Sequence, residues 1–153
     1  MNTPLIIGVG NDFRRDDGVG LAAARKLRDL LGPEARVIER MGEGIDLIDD
    51  WDGEQLVILI DAVRSNAAPG DIHCVRPLIE GLPKEHWNCS THAFSLAGAI
   101  EMGKVLGRIP SEMIVYGIEG KDFDEGQGLS PHVERGLGKV VQAVQEYLCS
   151  ALT

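Results

Sequence analysis

The chain has 153 residues, 44% apolar and 25% charged, which points to one domain over residues 1–153 with a core that needs no disulfide or metal to hold it. A net charge of −9 speaks against nucleic acid and anionic membrane as partners, because a phosphate surface calls for clustered Lys and Arg. Cys74, Cys89 and Cys149 form no Cys-x-x-Cys pair, no leader pattern opens the chain and no apolar run nears bilayer length, so buried free thiols in a reducing cytoplasm are expected.

Leu5 to Val9 is a short continuous apolar run and reads as a buried parallel strand. Gly8, Gly10 and Asn11 then turn the chain sharply, and Asp16 and Asp17 stand at the mouth of a helix, where an acidic side chain complements the N-terminus. That helix runs from Gly18 to Leu31, with Val19, Ala23, Leu27 and Leu30 on the inward face, and Gly32-Pro33 stops it. Ala35 to Arg40 is a second strand. Gly44 to Asp50 is a short helix with Ile45, Leu47 and Ile48 inward. Leu56 to Ile60 is the strongest strand, apolar on both faces, and ends at Asp61.

Asp71 to Val75 follows the Ala67–Gly70 turn too soon for a helical crossover, so it reads as an antiparallel strand. Arg76 to Asn88 reads as loop. Ser90-Thr91-His92 leads into a helix from about Ala93 to Leu106, with Leu96, Ile100 and Val105 inward, closed by Gly107. Met113 to Gly117 is a buried strand, and Glu119 to Leu129 a polar loop. Ser130 as cap and Pro131 in the first turn open a last helix. Strands alternating with helices make this a three-layer α/β/α sandwich on a mostly parallel sheet.

Asp17 after the first strand, Asp61 after the third and His92 before a long helix all fall where a doubly wound sheet opens its crevice. Two carboxylates and an imidazole form an open ligand set for a borderline divalent ion such as nickel or zinc. Each also has a plainer reading: Asp17 as a cap, Asp61 as a hydrogen-bond partner of its own loop, His92 as a helix-entry residue. His73, His86 and His132 are weaker candidates, and Glu43 and Glu119 are candidate crevice contacts. Gly8-Val9-Gly10 begins like a dinucleotide fingerprint, but Phe13 stands where the third glycine belongs, which weakens a nucleotide-binding alternative. No phosphate loop, His-Glu-x-x-His or Gly-x-Ser-x-Gly occurs.

Gly8-Val9-Gly10-Asn11 followed by Asp16-Asp17-Gly18-Val19-Gly20 resembles the opening signature of the nickel-iron hydrogenase maturation endopeptidases. Leu59-Ile60-Asp61-Ala62, Ser90-Thr91-His92 and Gly128-Leu129-Ser130-Pro131 resemble their later segments, in the same order. The resemblance implies a five-stranded sheet with one antiparallel strand, and removal of a C-terminal extension from a hydrogenase large-subunit precursor after nickel insertion. It places Asp17, Asp61 and His92 at the metal-contacting positions. The nickel is expected to arrive with the substrate, with zinc or cadmium able to occupy the same site, and Asp16 or a ligand carboxylate to handle protons. A monomer is expected. One segment departs: Glu39-Arg40-Met41-Gly42-Glu43-Gly44 stands where the family has an acidic residue and paired glycines. Arg40 and Met41 put bulk into a substrate-facing loop, which motivates the alternative of a non-catalytic metal-recognising docking or chaperone module acting on a different client.

Overall fold

The computed structural model describes residues 3–41, 44–83, 87 and 95–151. Its strands are β1 (Leu5–Val9), β2 (Arg36–Arg40), β3 (Leu56–Val63), β4 (Ile72–Val75) and β5 (Glu112–Glu119), joined in one sheet in the order β2-β1-β3-β5-β4. β4 alone runs antiparallel, pairing His73 with Gly117 of β5. The helices are α1 (Val19–Leu31), α2 (Gly44–Trp51), α3 (Pro77–Glu80), α4 (Leu96–Leu106) and α5 (Pro131–Ala151).

Both faces of the sheet are covered, which is why β1, β3 and β5 are apolar without alternation. On one face α1 and α5 bury Val19, Ala23, Leu27, Val140 and Val144 against Ile6, Ile58, Ile60, Ile114 and Ile118. On the other, α2 and α4 bury Leu47, Trp51, Ala99 and Ile100 against Ile7, Leu59, Met113 and Val115. The chain leaves β1 toward β2 on one side, while β3 lies on the other. The carboxyl ends of β1 and β3 therefore flank the point where the strand order reverses, the place where open α/β sheets bind their ligands.

Several elements depart from expectation. β3 does not end at Asp61: Asp61, Ala62 and Val63 stay paired with Gly117, Ile118 and Glu119, so β5 also runs two residues further. α4 starts at Leu96, because the Ser95 hydroxyl caps it by accepting from the Gly98 amide at 3.0 Å. Residues 77–80 form the short α3 rather than loop. Ser130 does not spend its hydroxyl on the last helix but donates it to Asp16. Val105 is 81% exposed. It lies nine residues beyond Leu96, about 180° around the helix from it. Ile45 and Leu30 also face out, because the buried stripes follow 44-47-48-51 and 23-27-31. Cys74 and Cys149 are exposed rather than buried; Cys89 lies outside the described residues.

The glycine signature has a steric cause. A Cβ on Gly20 would lie 2.3 Å from the Ile60 carbonyl oxygen and 2.4 Å from that of Val9, so α1 rests directly on the ends of β1 and β3. A Cβ on Gly10, at φ +152, would lie 2.0 Å from the Asp17 carbonyl oxygen. Gly20→Ala is therefore expected to push α1 off the sheet at an overpacking cost of about 1–3 kcal/mol. At roughly 2–4 °C per kcal/mol for a chain of this size, a thermal melt followed by circular dichroism should drop by several degrees.

Candidate active site at the sheet switch point

Asp17 stands on a 3-10 turn, Arg15–Gly18, between β1 and α1. The turn is held locally by the Asp17 amide donating to the Arg14 carbonyl at 3.1 Å and the Asn11 amide donating to the Asp17 carbonyl at 3.3 Å. Backbone hydrogen bonds also tie it to the segment before α5: Arg15 N–H to Gly126, Gly126 N–H to Phe13 and Asp16 N–H to Asp122, all between 2.9 and 3.0 Å. Asp61 enters from the adjoining strand β3. Each of the two aspartates is only 8% exposed.

Their charges meet. Burial pushes the Asp61 carboxyl well above the usual carboxylate range, and the negative charge of Asp17 pushes it further. The Ala62 amide, donating to Asp61 Oδ1 at 2.8 Å, opposes this without offsetting it. Two buried carboxylates that repel each other favour a proton or a cation close by, which fits a divalent ion approached by oxygen ligands. His92, the third expected ligand, lies outside the described residues, as do His86 and Glu43. Among the described residues no group of three or more His, Cys, Asp or Glu side chains is arranged to hold a metal.

Asp16, next to Asp17 in sequence, has different surroundings. It is fully buried, and both its oxygens are used: Oδ2 accepts from the Lys121 and Asp122 amides and the Ser130 hydroxyl, Oδ1 from the Ser130 amide, at 2.8–2.9 Å. Burial alone would raise its pKa, but these donors outweigh it and hold the carboxyl below the usual range. Through these four hydrogen bonds Asp16 ties the loop before α5 to the Asp17 turn.

The other candidates sort themselves by their partners. Glu119 is buried and accepts from the Ser65 amide at 2.8 Å and hydroxyl at 2.5 Å, with His73 Nε2 at 3.2 Å from the same carboxylate. Asp61, Gly117 and His73 are neighbours in one row across β3, β5 and β4. Trp87 lies on that row: a Cβ on Gly117 would sit 2.3 Å from its ring, so the indole separates His73 from Asp61. His132 lies in the first turn of α5 beside Arg135. Arg40 folds back onto Asp50 of α2 through two hydrogen bonds, at 2.7 and 2.9 Å, leaving Met41 as the exposed departure in that loop. The Arg25 guanidinium, which sequence reasoning passed over, bridges Asp12 after β1 to Glu39 at the end of β2. Nothing in the spacing of those three residues announces the bridge.

Comparison with known proteins agrees with this architecture. A family model of hydrogenase maturation proteases matches residues 22–147. The hydrogenase 2 maturation protease of Escherichia coli K12 is 27% identical over 150 residues, covering 93% of this chain and 90% of that protein. The chain is 23% identical to the hydrogenase expression/formation protein HupD of Thiocapsa roseopersicina, over 94% of its own length and 66% of that of the relative. Among solved structures, the [NiFe] hydrogenase maturation protease HybD of Thermococcus kodakarensis superposes with a TM-score of 0.72 at 28% identity, over 97% of this chain and 99% of that one. With the family model covering most of its length, the chain belongs to the hydrogenase maturation protease family.

Proposed function

We propose that this chain is an endopeptidase that removes a C-terminal extension from a hydrogenase large-subunit precursor already carrying nickel, and that Asp17, Asp61 and His92 engage that nickel. The observation that carries the reading is the coupled pair Asp17 and Asp61, two buried carboxylates held at the switch point in mutual repulsion. His92 is the third member by motif and by its place in the chain, five residues after Trp87 and three before the Ser95 cap.

The nickel belongs to the substrate, and its arrival supplies the positive charge that lets Asp61 release its proton. Peptide hydrolysis consumes one water and delivers one proton to the leaving amine. The attacking water supplies that proton: its hydroxyl adds to the scissile carbonyl, and its other proton passes by way of a ligand carboxylate, ionised once the cation is bound, to the leaving amine; Asp16 already accepts four hydrogen bonds from the loop before α5. The polarising power of a divalent ion on the scissile carbonyl completes the chemistry. The buried walls of the crevice strengthen each of these interactions by excluding water.

The test mixes purified protein with the nickel-loaded and nickel-free large-subunit precursor of the same genome and reads intact mass. Shortening of the loaded sample alone is expected, and His92→Ala is expected to abolish it while leaving the melting temperature within a few degrees. Stable binding without shortening favours the docking-module alternative. That alternative drew on the bulk of Arg40 and Met41, and Arg40 is already occupied by Asp50. Normal processing by His92→Ala removes His92 from the ligand set.

A further inference from the structure

Next to the Asp17 turn lies a cavity of about 230 Å³, between the residues that follow β1 and the end of β2. Leu21 of α1, buried, is among the residues that line it, and Phe13 and Met41 flank it, 66% and 51% exposed. Here two large exposed apolar side chains adjoin one cavity instead of standing singly on the surface, and an apolar patch of that kind suits a binding groove. Three observations say what occupies it.

The first is size. Small-molecule sites run from roughly 300 to 1,000 Å³, so this cavity is too small for a metabolite or cofactor and holds about one large side chain. The second is charge. The ionic groups around the cavity are already spent on one another: Arg25 on Asp12 and Glu39, Arg40 on Asp50. Among the described residues no charge lining the cavity lacks a partner, and Arg25 bridges its two walls. The third is continuity. Gly10 and Asn11 line the cavity, and the same two residues press on and hydrogen-bond to the Asp17 backbone. The cavity therefore adjoins the turn that carries Asp17.

We propose that this cavity is a specificity pocket that receives one large apolar side chain of the precursor segment beside the scissile bond, with Phe13 and Met41 as the walls that select it. The proposal rests on the peptidase reading above and adds to it the residue class that the enzyme selects. Met41, where the family pattern has a small residue, then narrows the pocket and restricts the clients this chain accepts.

The test uses the same nickel-loaded precursor. Phe13→Asp and Met41→Asp are each expected to raise KM at least tenfold with kcat within twofold, the signature of lost binding shared by ground and transition states. Val105→Asp, at a more exposed apolar position on α4, should leave both constants unchanged. Each apolar precursor residue within four positions of the cut is then replaced by Asp. One of these replacements should raise KM against the wild-type enzyme and add nothing further against Met41→Asp, the non-additivity of groups in contact. Unchanged KM in both enzyme variants, or additive losses at every precursor position, overturns the pocket while leaving the peptidase standing. If the wild type binds the precursor without cutting it, the peptidase reading fails and the pocket is judged by affinity, with at least tenfold weaker binding by Met41→Asp expected and equal binding overturning it. A wild type that neither binds nor cuts overturns both.

Discussion

Asp61→Asn is expected to abolish processing and, in the same molecule, to raise the melting temperature at pH 7. Activity is lost because an amide neither ligates a divalent ion as a carboxylate does nor releases a proton. Stability is gained because the carboxylate is destabilised where it stands, first by burial and then by Asp17. The sign follows from proton counting. A carboxyl whose folded pKa lies above its ordinary value of 3.8 holds its proton longer in the folded chain than in the unfolded one. Stability therefore falls as pH climbs from that value through the raised one, and asparagine is free of this loss. Its Oδ1 still accepts the Ala62 amide that Asp61 accepts. The gain should be on the order of 1 kcal/mol, a few degrees in Tm at pH 7, and should vanish below the unfolded-state value. Thermal melts at pH 7 and in acid measure it. Adding nickel(II) alone should reverse the order: wild type rises, by about 2.7 kcal/mol at a hundredfold excess over Kd, and Asp61→Asn does not.

That combination, a group kept at a cost to the fold, is what makes the site legible from sequence. Asp17 lies on the turn that follows the apolar run of β1, and Asp61 interrupts the apolar run of β3, where a strand built only for packing would place a neutral residue. The alternation of strands and helices fixes which strand ends lie together, so the meeting of the two carboxylates follows from topology. The negative charge of Asp17 acts on Asp61 across that meeting point. The surroundings of Asp16, next to Asp17 in sequence, were not legible there. In a 3-10 turn successive side chains diverge by about 120°. One aspartate faces the crevice side of the turn and the next is wrapped by the loop before α5.

The remaining misreadings are of tertiary origin. Val105 and Ile45 carry the right hydrophobicity and the wrong phase, and only the stripes at 96-99-100-103 and 44-47-48-51 show which side packs. The row of Asp61, Gly117 and His73 depends on the antiparallel register of β4, which no local pattern encodes. The same holds for Trp87 filling the space over Gly117, and for Ser65 reaching Glu119. These contacts join residues 30 to 54 positions apart and become visible only once the sheet is assembled.

Asp16→Ala is expected to be among the most damaging single changes to the fold outside the apolar core. It removes the acceptor of three backbone amides and one hydroxyl at once, and these groups lie in a loop already committed by its own backbone bonds to the Asp17 turn. Each buried donor left without a partner costs about 1–3 kcal/mol. Partial relaxation toward water brings the total to about 3–5 kcal/mol, on the order of 10 °C in Tm. Asp16→Asn keeps one acceptor oxygen but turns an NH2 toward an amide donor, so an intermediate loss is expected. The pH response runs opposite to that of Asp61. The Asp16 pKa is held below 3.8, so the unfolded chain takes up the proton first; the stabilisation is full above that value and is lost as pH falls through the folded one. Melts of Asp16→Asn should therefore show a flattened acid limb, and those of Asp61→Asn a flattened limb on the side of rising pH. Processing by Asp16→Asn, assayed well below its melting point, separates the two roles this residue has been given. An anchor loses activity in step with its folded fraction, whereas a proton donor loses kcat while the protein is still fully folded.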